Sequence, residues 1–223
     1  MLDTQTLEAL KAKATDLRVS TIHEIAHLGN GHIGGSMSII EILTYLYFLE
    51  MNVDPSNPHM EGRDRFVCSK GHAGPAVYAT LAEKGFFPKE WLMTLNQGGT
   101  NLPSHCDMLK TPGIDFTTGS LGQGASAAVG IALGQRLKGE SSYTYLMLGD
   151  GESQEGQVWE AAEFASTQKL GNLIAFTDFN RQQLDGYTQD IINMDNIDTR
   201  WLGFNWHVQR INGHDFNQIA HAI

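Results

Sequence analysis

Cysteine is nearly absent: of 223 residues, only Cys68 and Cys106 carry thiols. Their spacing fits neither a disulfide framework nor a zinc site, so the simplest reading is two reduced thiols in a cytoplasmic protein. Positive charge is scarce as well. Fifteen Lys and Arg against 25 Asp and Glu give a formal charge of −10, which argues against binding along a nucleic-acid backbone. Long apolar runs are missing too. No segment stays apolar for the roughly 20 residues that a bilayer-crossing helix needs, and the polar start Met1-Leu2-Asp3-Thr4-Gln5 does not read as an export signal. A soluble protein without membrane contact is expected. What is present is a chain of 223 residues, long enough for one large α/β domain with a buried core.

The most informative stretch runs from residue 143 to residue 180. Two short, β-prone apolar runs, 143–148 and 173–179, flank a segment with helical apolar spacing at 158–165. Such a β-α-β unit has parallel, adjacent strands and a right-handed crossover, so residues just past each strand meet at neighbouring carboxyl ends. Asp150, within Gly149-Asp150-Gly151, and Asn180 hold those positions. Ligands of open α/β sheets bind at that edge. A carboxylate and an amide oxygen are hard donors suited to Mg²⁺ held against phosphate oxygens, and Gly149 and Gly151 let backbone approach the phosphates. Taken alone, Gly-Asp-Gly is more often only a strand-ending turn. The surrounding thirty residues favour a metal and diphosphate grip.

Elsewhere the pattern predicts a helix over 3–28, with Leu7, Leu10, Ala14, Leu17, Ile22 and Ile25 on one side. A second helix, capped by Ser36 or Ser38, continues through 42–49 and is apolar nearly all round. That character favours burial by the sheet on one side and by another protomer on the other. A short strand at 65–69, a helix at 75–84, an irregular stretch at 96–124, a last strand at 206–210 and a helix opening at Phe216 complete the outline. The outline predicts a single domain over residues 1–223 whose remaining strands belong to a continuation. Glu152 reads as a solvated residue at a helix start, Trp159 and Phe164 as core, and Cys106 as a passive buried thiol.

Four segments, in order, carry a resemblance: Gly31-His32-Ile33-Gly34, Ser69-Lys70-Gly71-His72, Gly119-Ser120-Leu121-Gly122-Gln123-Gly124, and Gly149-Asp150-Gly151-Glu152-Ser153-Gln154-Glu155-Gly156 running on to Asn180. In these the chain resembles the N-terminal, thiamine diphosphate-binding domain of transketolase, over nearly its whole length. The resemblance implies that family's α/β fold, a parallel sheet flanked by helices. It implies that Asp150, Asn180 and the backbone carbonyl of Gln182 bind Mg²⁺, or another divalent cation such as Ca²⁺ or Mn²⁺. Gly151 would turn its backbone to the diphosphate, and His72 would donate to a phosphate oxygen. In Gly119-Ser120-Leu121, a backbone carbonyl would accept from the aminopyrimidine while Leu121 packs on the cofactor rings. His32 and His105 would face the ketose hydroxyls and assist proton transfer, a task that suits imidazole. Glu155 would lie where two subunits meet. Arg181-Gln182-Gln183 departs from the small apolar residues usual after the metal-binding asparagine, which leaves the substrate preference open.

The same resemblance implies a partner. The family's glutamate that acts on the aminopyrimidine, and most of its sugar-phosphate contacts, belong to domains without a counterpart here. The expectation is the diphosphate-binding subunit of a split transketolase, or a piece of a longer chain, inactive without a second subunit carrying the pyrimidine-binding and C-terminal domains. A homodimeric contact would then give a heterotetramer. Together the subunits would move a two-carbon ketol unit between sugar phosphates. The competing readings are a deoxyxylulose-phosphate synthase or 2-oxo-acid dehydrogenase component, and a non-catalytic regulatory homologue. The Gly-His-Ile-Gly and Ser-Lys-Gly-His segments, with His105, favour transketolase.

Overall fold

The computed structural model describes residues 1–223. Along the chain it forms α1 (Thr4–Leu28), α2 (Ile33–Met37), α3 (Ile40–Tyr45), β1 (Arg65–Cys68), α4 (Gly74–Lys84), α5 (Gln123–Leu137), β2 (Thr144–Gly149), α6 (Gly156–Thr167), β3 (Leu173–Asp178), β4 (Gln182–Gln183), β5 (Gly186–Tyr187), α7 (Thr188–Ile191), α8 (Ile197–Gly203) and α9 (Phe216–Ala222). The chain divides into two compact units. One comprises Met1–Glu61, His72–Thr117 and Ile211–Ile223, and the other Gly62–Gly71 and Thr118–Arg210. No helix is long and apolar enough to cross a membrane.

The second unit contains the expected β-α-β arrangement. Its sheet has the order β1-β2-β3 with both pairings parallel. All six residues of β2 are buried, as a central parallel strand requires. Each of its large apolar side chains contributes about 1.5–3 kcal/mol by leaving water. Small residues let the helices come close: Ala125, Ala128 and Ala132 of α5 and Ala161, Ala162 and Ala165 of α6 are all buried. At Gly124 a Cβ would sit 2.5 Å from Ser69 Oγ, so the α5 N-terminus can approach the end of β1 only without a side chain there.

Two expectations fail in this unit. Residues 206–210 form no strand. Trp206 instead donates its indole N–H to the Ala162 carbonyl at 3.0 Å and meets Trp201 edge-on, which commits the segment to helix packing rather than to a ladder. Phe164 is 46% exposed rather than core, whereas Trp159 stacks against Phe204 and tilts against Trp201.

The first unit is helical. Asp3 caps α1 by accepting from the Thr6 N–H at 2.9 Å, and Gly29, with φ of 88°, ends it. The buried face of α1 comprises Leu10, Ala14, Leu17, Thr21, Glu24 and Ile25, so Ile22 points outward and a glutamate takes an interior position. Every residue of α3 is buried. Within the same unit α1, α4 and α9 pack on it, while Leu49, at the far end of the apolar run, is 46% exposed. The one acid in α3, Glu41, accepts hydrogen bonds from Arg18 and from His214, the latter at 2.8 Å.

Candidate functional site

In the second unit the ends of β2 and β3 lie in register, with Gly149 opposite Asp178. Asp150 follows directly and is 1% exposed. Its Oδ1 accepts from the Gly151 N–H at 2.8 Å and its Oδ2 from the Arg181 N–H at 2.6 Å. Right-handed crossover thus brings Asp150 to the loop that opens with Asn180. That loop is tightly folded. Asn180 donates to Asp178 Oδ2 at 2.8 Å and accepts from the Gln182 N–H at 2.9 Å, while Arg181 adopts φ of 65° and its carbonyl accepts from Thr188. Gln182 opens the short β4–β5 hairpin.

The charges at this edge are unequal. Asp178 is paired with the buried ammonium of Lys70 at 2.7 Å. Asp150 has only backbone N–H partners. Burial pushes its carboxyl above the usual range, the Arg181 and Gly151 N–H groups pull the other way, and the Asp178 charge adds to the rise. A buried carboxylate without a cationic partner, an amide oxygen and a main-chain carbonyl two residues on are all hard oxygen donors. The set fits a divalent cation.

Gly151 is half-buried, and a Cβ there would meet Gln183 Cβ at 3.1 Å. Ser120 and Leu121 are exposed beside the half-buried Gly119, at the mouth of α5. Glu155, also exposed, stands just before α6 and makes no capping bond.

Glu152 corrects the sequence reading most sharply. Expected to be solvated, it is 2% exposed. Its Oε1 accepts from Ser69 Oγ and from the Gly122 N–H at 2.9 Å, and its Oε2 from the Gly149 N–H at 3.0 Å. Gly122 presents that N–H from a left-handed turn, φ 83°, that few side chains tolerate. Burial raises the Glu152 carboxyl, while Ser69, Gly122, Gly149 and the Lys70 charge oppose the rise. A polar Gly-Asp-Gly-Glu-Ser run gives no periodicity from which this burial could be read; the closest signal was the glycine spacing around Gly122.

In the first unit the three histidines singled out by sequence come together. The His32 and His72 rings lie 5.0 Å apart and tilted by 55°. Burial, and then the neighbouring His32, hold His105 below the usual histidine range. Tyr78 fixes the backbone there by donating to the carbonyls of Pro103 at 2.8 Å and His105 at 2.9 Å, and Ser104 Oγ lies 3.0 Å from His105 Nδ1. Cys106 is buried at 1% exposure, as expected. Asp150, Gly151, Asn180, Gln182 and Gly119–Leu121 therefore belong to one unit, and the three histidines, His72 with its expected phosphate contact among them, to the other.

The family described as transketolase, thiamine diphosphate binding domain, matches residues 9–223. A protein of Clostridium sp. (strain MSTE9) named 6-deoxy-6-sulfo-D-fructose transketolase subunit SqwG is 55% identical over 214 residues, which cover 96% of this chain and 78% of that protein. An apulose-4-phosphate transketolase subunit of Actinobacillus succinogenes is 39% identical, covering 96% of this chain and 77% of its own length. Among solved structures, transketolase from Leishmania mexicana superposes with a TM-score of 0.91 at 29% identity, over 96% of this chain. The chain spans 34% of the length of that transketolase.

Proposed function

The chain belongs to the transketolase thiamine diphosphate-binding domain family, and from that premise we propose that it is the diphosphate- and metal-binding subunit of a two-polypeptide transketolase. The observation that carries this reading is the buried, cation-free carboxylate of Asp150 against the Asn180–Gln182 loop. Asp150, Asn180 Oδ1 and the Gln182 carbonyl hold a divalent cation, Mg²⁺ by preference, and through it the diphosphate of thiamine diphosphate. Asn180 Oδ1 accepts a single bond, from the Gln182 N–H, and so keeps a second lone pair for the metal. Gly151 offers backbone to the same diphosphate and His72 a ring N–H. Gly119, Ser120 and Leu121 receive the rest of the cofactor. When bound, thiamine diphosphate supplies the nucleophilic carbon and the electron sink that carbon–carbon cleavage needs.

The proton handling falls to His32 and His105. Burial, and then the neighbouring His32, disfavour the charged form of His105, which leaves that ring available to accept a proton from a sugar hydroxyl. Glu155, exposed before α6, faces the contact between subunits. The second polypeptide carries the pyrimidine-binding and C-terminal domains, and two copies of each make a heterotetramer in the cytoplasm. The relatives named as subunits, whose lengths this chain covers to 77–78%, support that division. The transferred group is a two-carbon ketol unit passing from a ketose phosphate to an aldose phosphate. The first relative's name favours a second donor, a ketose with a sulfonate at C6.

The test is reconstitution with the partner polypeptide, assayed for ketol transfer from ketose phosphates and from 6-deoxy-6-sulfofructose. Transfer that requires both Mg²⁺ and thiamine diphosphate is expected. Absence of transfer with every pair, despite cofactor binding, would leave the non-catalytic reading standing. Release of CO₂ from pyruvate would point to the synthase or dehydrogenase class.

A further inference from the structure

We propose that Glu152 is a positioning residue that locks the metal-bearing end of β2 to the Gly119–Gly124 loop; this rests on the cofactor-binding reading above. Three segments that reading uses meet at one carboxylate. Ser69 follows β1 directly, just ahead of Lys70, whose ammonium pairs with Asp178. Gly122 belongs to the loop assigned to the cofactor's rings. Gly149 immediately precedes the metal-binding Asp150. Each donates to Glu152, two of them to Oε1 and Gly149 to Oε2. The side chain is shielded from water at 2% exposure, so no solvent molecule substitutes for a lost acceptor.

The arrangement demands a carboxyl group at this position. A backbone N–H points at each of the two oxygens, Gly122 at one and Gly149 at the other. Replacing either oxygen by an amide NH₂ sets donor against donor, whichever way the amide is flipped. Glu152→Gln, equal in size and shape, therefore frees either the ring-binding loop or the metal-binding turn. Cofactor geometry in such sites depends on supports of this kind behind the direct contacts.

Trp159 provides the reporter. Its indole N–H donates to the Ser153 carbonyl at 2.9 Å, one residue from Glu152, and a Trp159→Phe control separates its signal from that of Trp91, Trp201 and Trp206. The experiment measures Mg²⁺–thiamine diphosphate affinity by tryptophan fluorescence in the chain assembled with its partner polypeptide. Urea melts and amide exchange at Gly122 and Gly149 accompany it. In Glu152→Gln, affinity is expected to fall by about tenfold or more and exchange to quicken at one of the two glycines. Ser69→Ala, which keeps both backbone bonds, is expected to lose affinity by about threefold and serves if the glutamine variant does not fold. Lower stability with unchanged cofactor affinity in both variants would overturn the proposal and leave Glu152 a purely structural acid. Failure of the unmodified protein to bind the cofactor would instead overturn the function proposed above.

Discussion

Two buried glutamates, one in each compact unit, are treated in opposite ways. Glu152 has three donors for its two oxygens. Glu24, fully buried on α1, has no hydrogen-bond partner on either oxygen. The backbone explains the contrast. Inside a 25-residue helix every N–H is already bonded to the carbonyl four residues back, so α1 has nothing to offer a buried acid. Strand ends and left-handed glycine turns leave N–H groups unspent, and Gly122, Gly149, Gly151 and Arg181 all direct theirs at carboxylates. Capacity for anionic side chains is concentrated at the sheet edge of the second unit, where the cation is proposed to bind.

The sharpest way to test that concentration is to remove its centre. Asp150→Ala deletes the carboxylate that has only backbone partners at that edge and is expected to weaken Mg²⁺-dependent binding of thiamine diphosphate at least about 100-fold, or roughly 2.7 kcal/mol. Calorimetric titration of the assembled enzyme measures it. Retained affinity would mean that the metal lies elsewhere.

The same substitution logic inverts in the first unit. Glu24→Leu replaces an unpartnered acid by an apolar group of similar volume and is expected to raise stability by about 2 kcal/mol, seen as a higher midpoint in urea. A loss of stability would show that the carboxyl has a partner in solution. The pH dependence follows from the sign of the shift. Burial holds the Glu24 carboxyl well above its ordinary value of 4.5, so between that value and its folded value the native state binds the extra proton. Stability is then lost as pH rises, by up to about 1.4 kcal/mol per pH unit. Asp150 and Glu152 tilt the same way. The difference between the native chain and Glu24→Leu, measured from pH 5 to 8, isolates Glu24, and parallel curves would refute the assignment.

The contrast between the two glutamates also marks how far the sequence could be read. The β-α-β unit and the meeting of Asp150 with the Asn180 loop were legible because strand and helix periods fix a register without reference to the rest of the chain. His32, His72 and His105 were legible as a set only through the family resemblance. Glu152 was not legible, because its turn has no period, whereas Glu24 continues the 4-3 spacing of Leu10, Ala14, Leu17 and Thr21 and only its charge spoke against an interior place. Residues 206–210 alternate like a strand, yet the indole of Trp206 finds α6 instead. The apolar run through α3 was correctly read as buried, but the elements that cover it come from distant parts of the same unit.

The smallest expected effect lies in a third buried glutamate, which joins the two modes. Glu41 sits on a helix of the first unit, as Glu24 does, yet it is satisfied, by side chains rather than by backbone. Burial raises its carboxyl, but the hydrogen bonds from Arg18 and His214 and the Arg18 charge outweigh that and leave it below the ordinary value. Its contribution is therefore present above the unfolded value of 4.5 and lost as pH falls through the folded one, opposite in sign to that of Glu24. The Arg18 side chain is 33% exposed and that of His214 56%, against 8% for Glu41, so solvent screens both pairs, the second more. Arg18→Ala is expected to cost about 1–2 kcal/mol and to flatten the acid limb of the stability curve, while His214→Ala costs less than about 1 kcal/mol. If His214→Ala proves the costlier of the two, the imidazole hydrogen bond rather than the guanidinium is what makes Glu41 tolerable inside a helix.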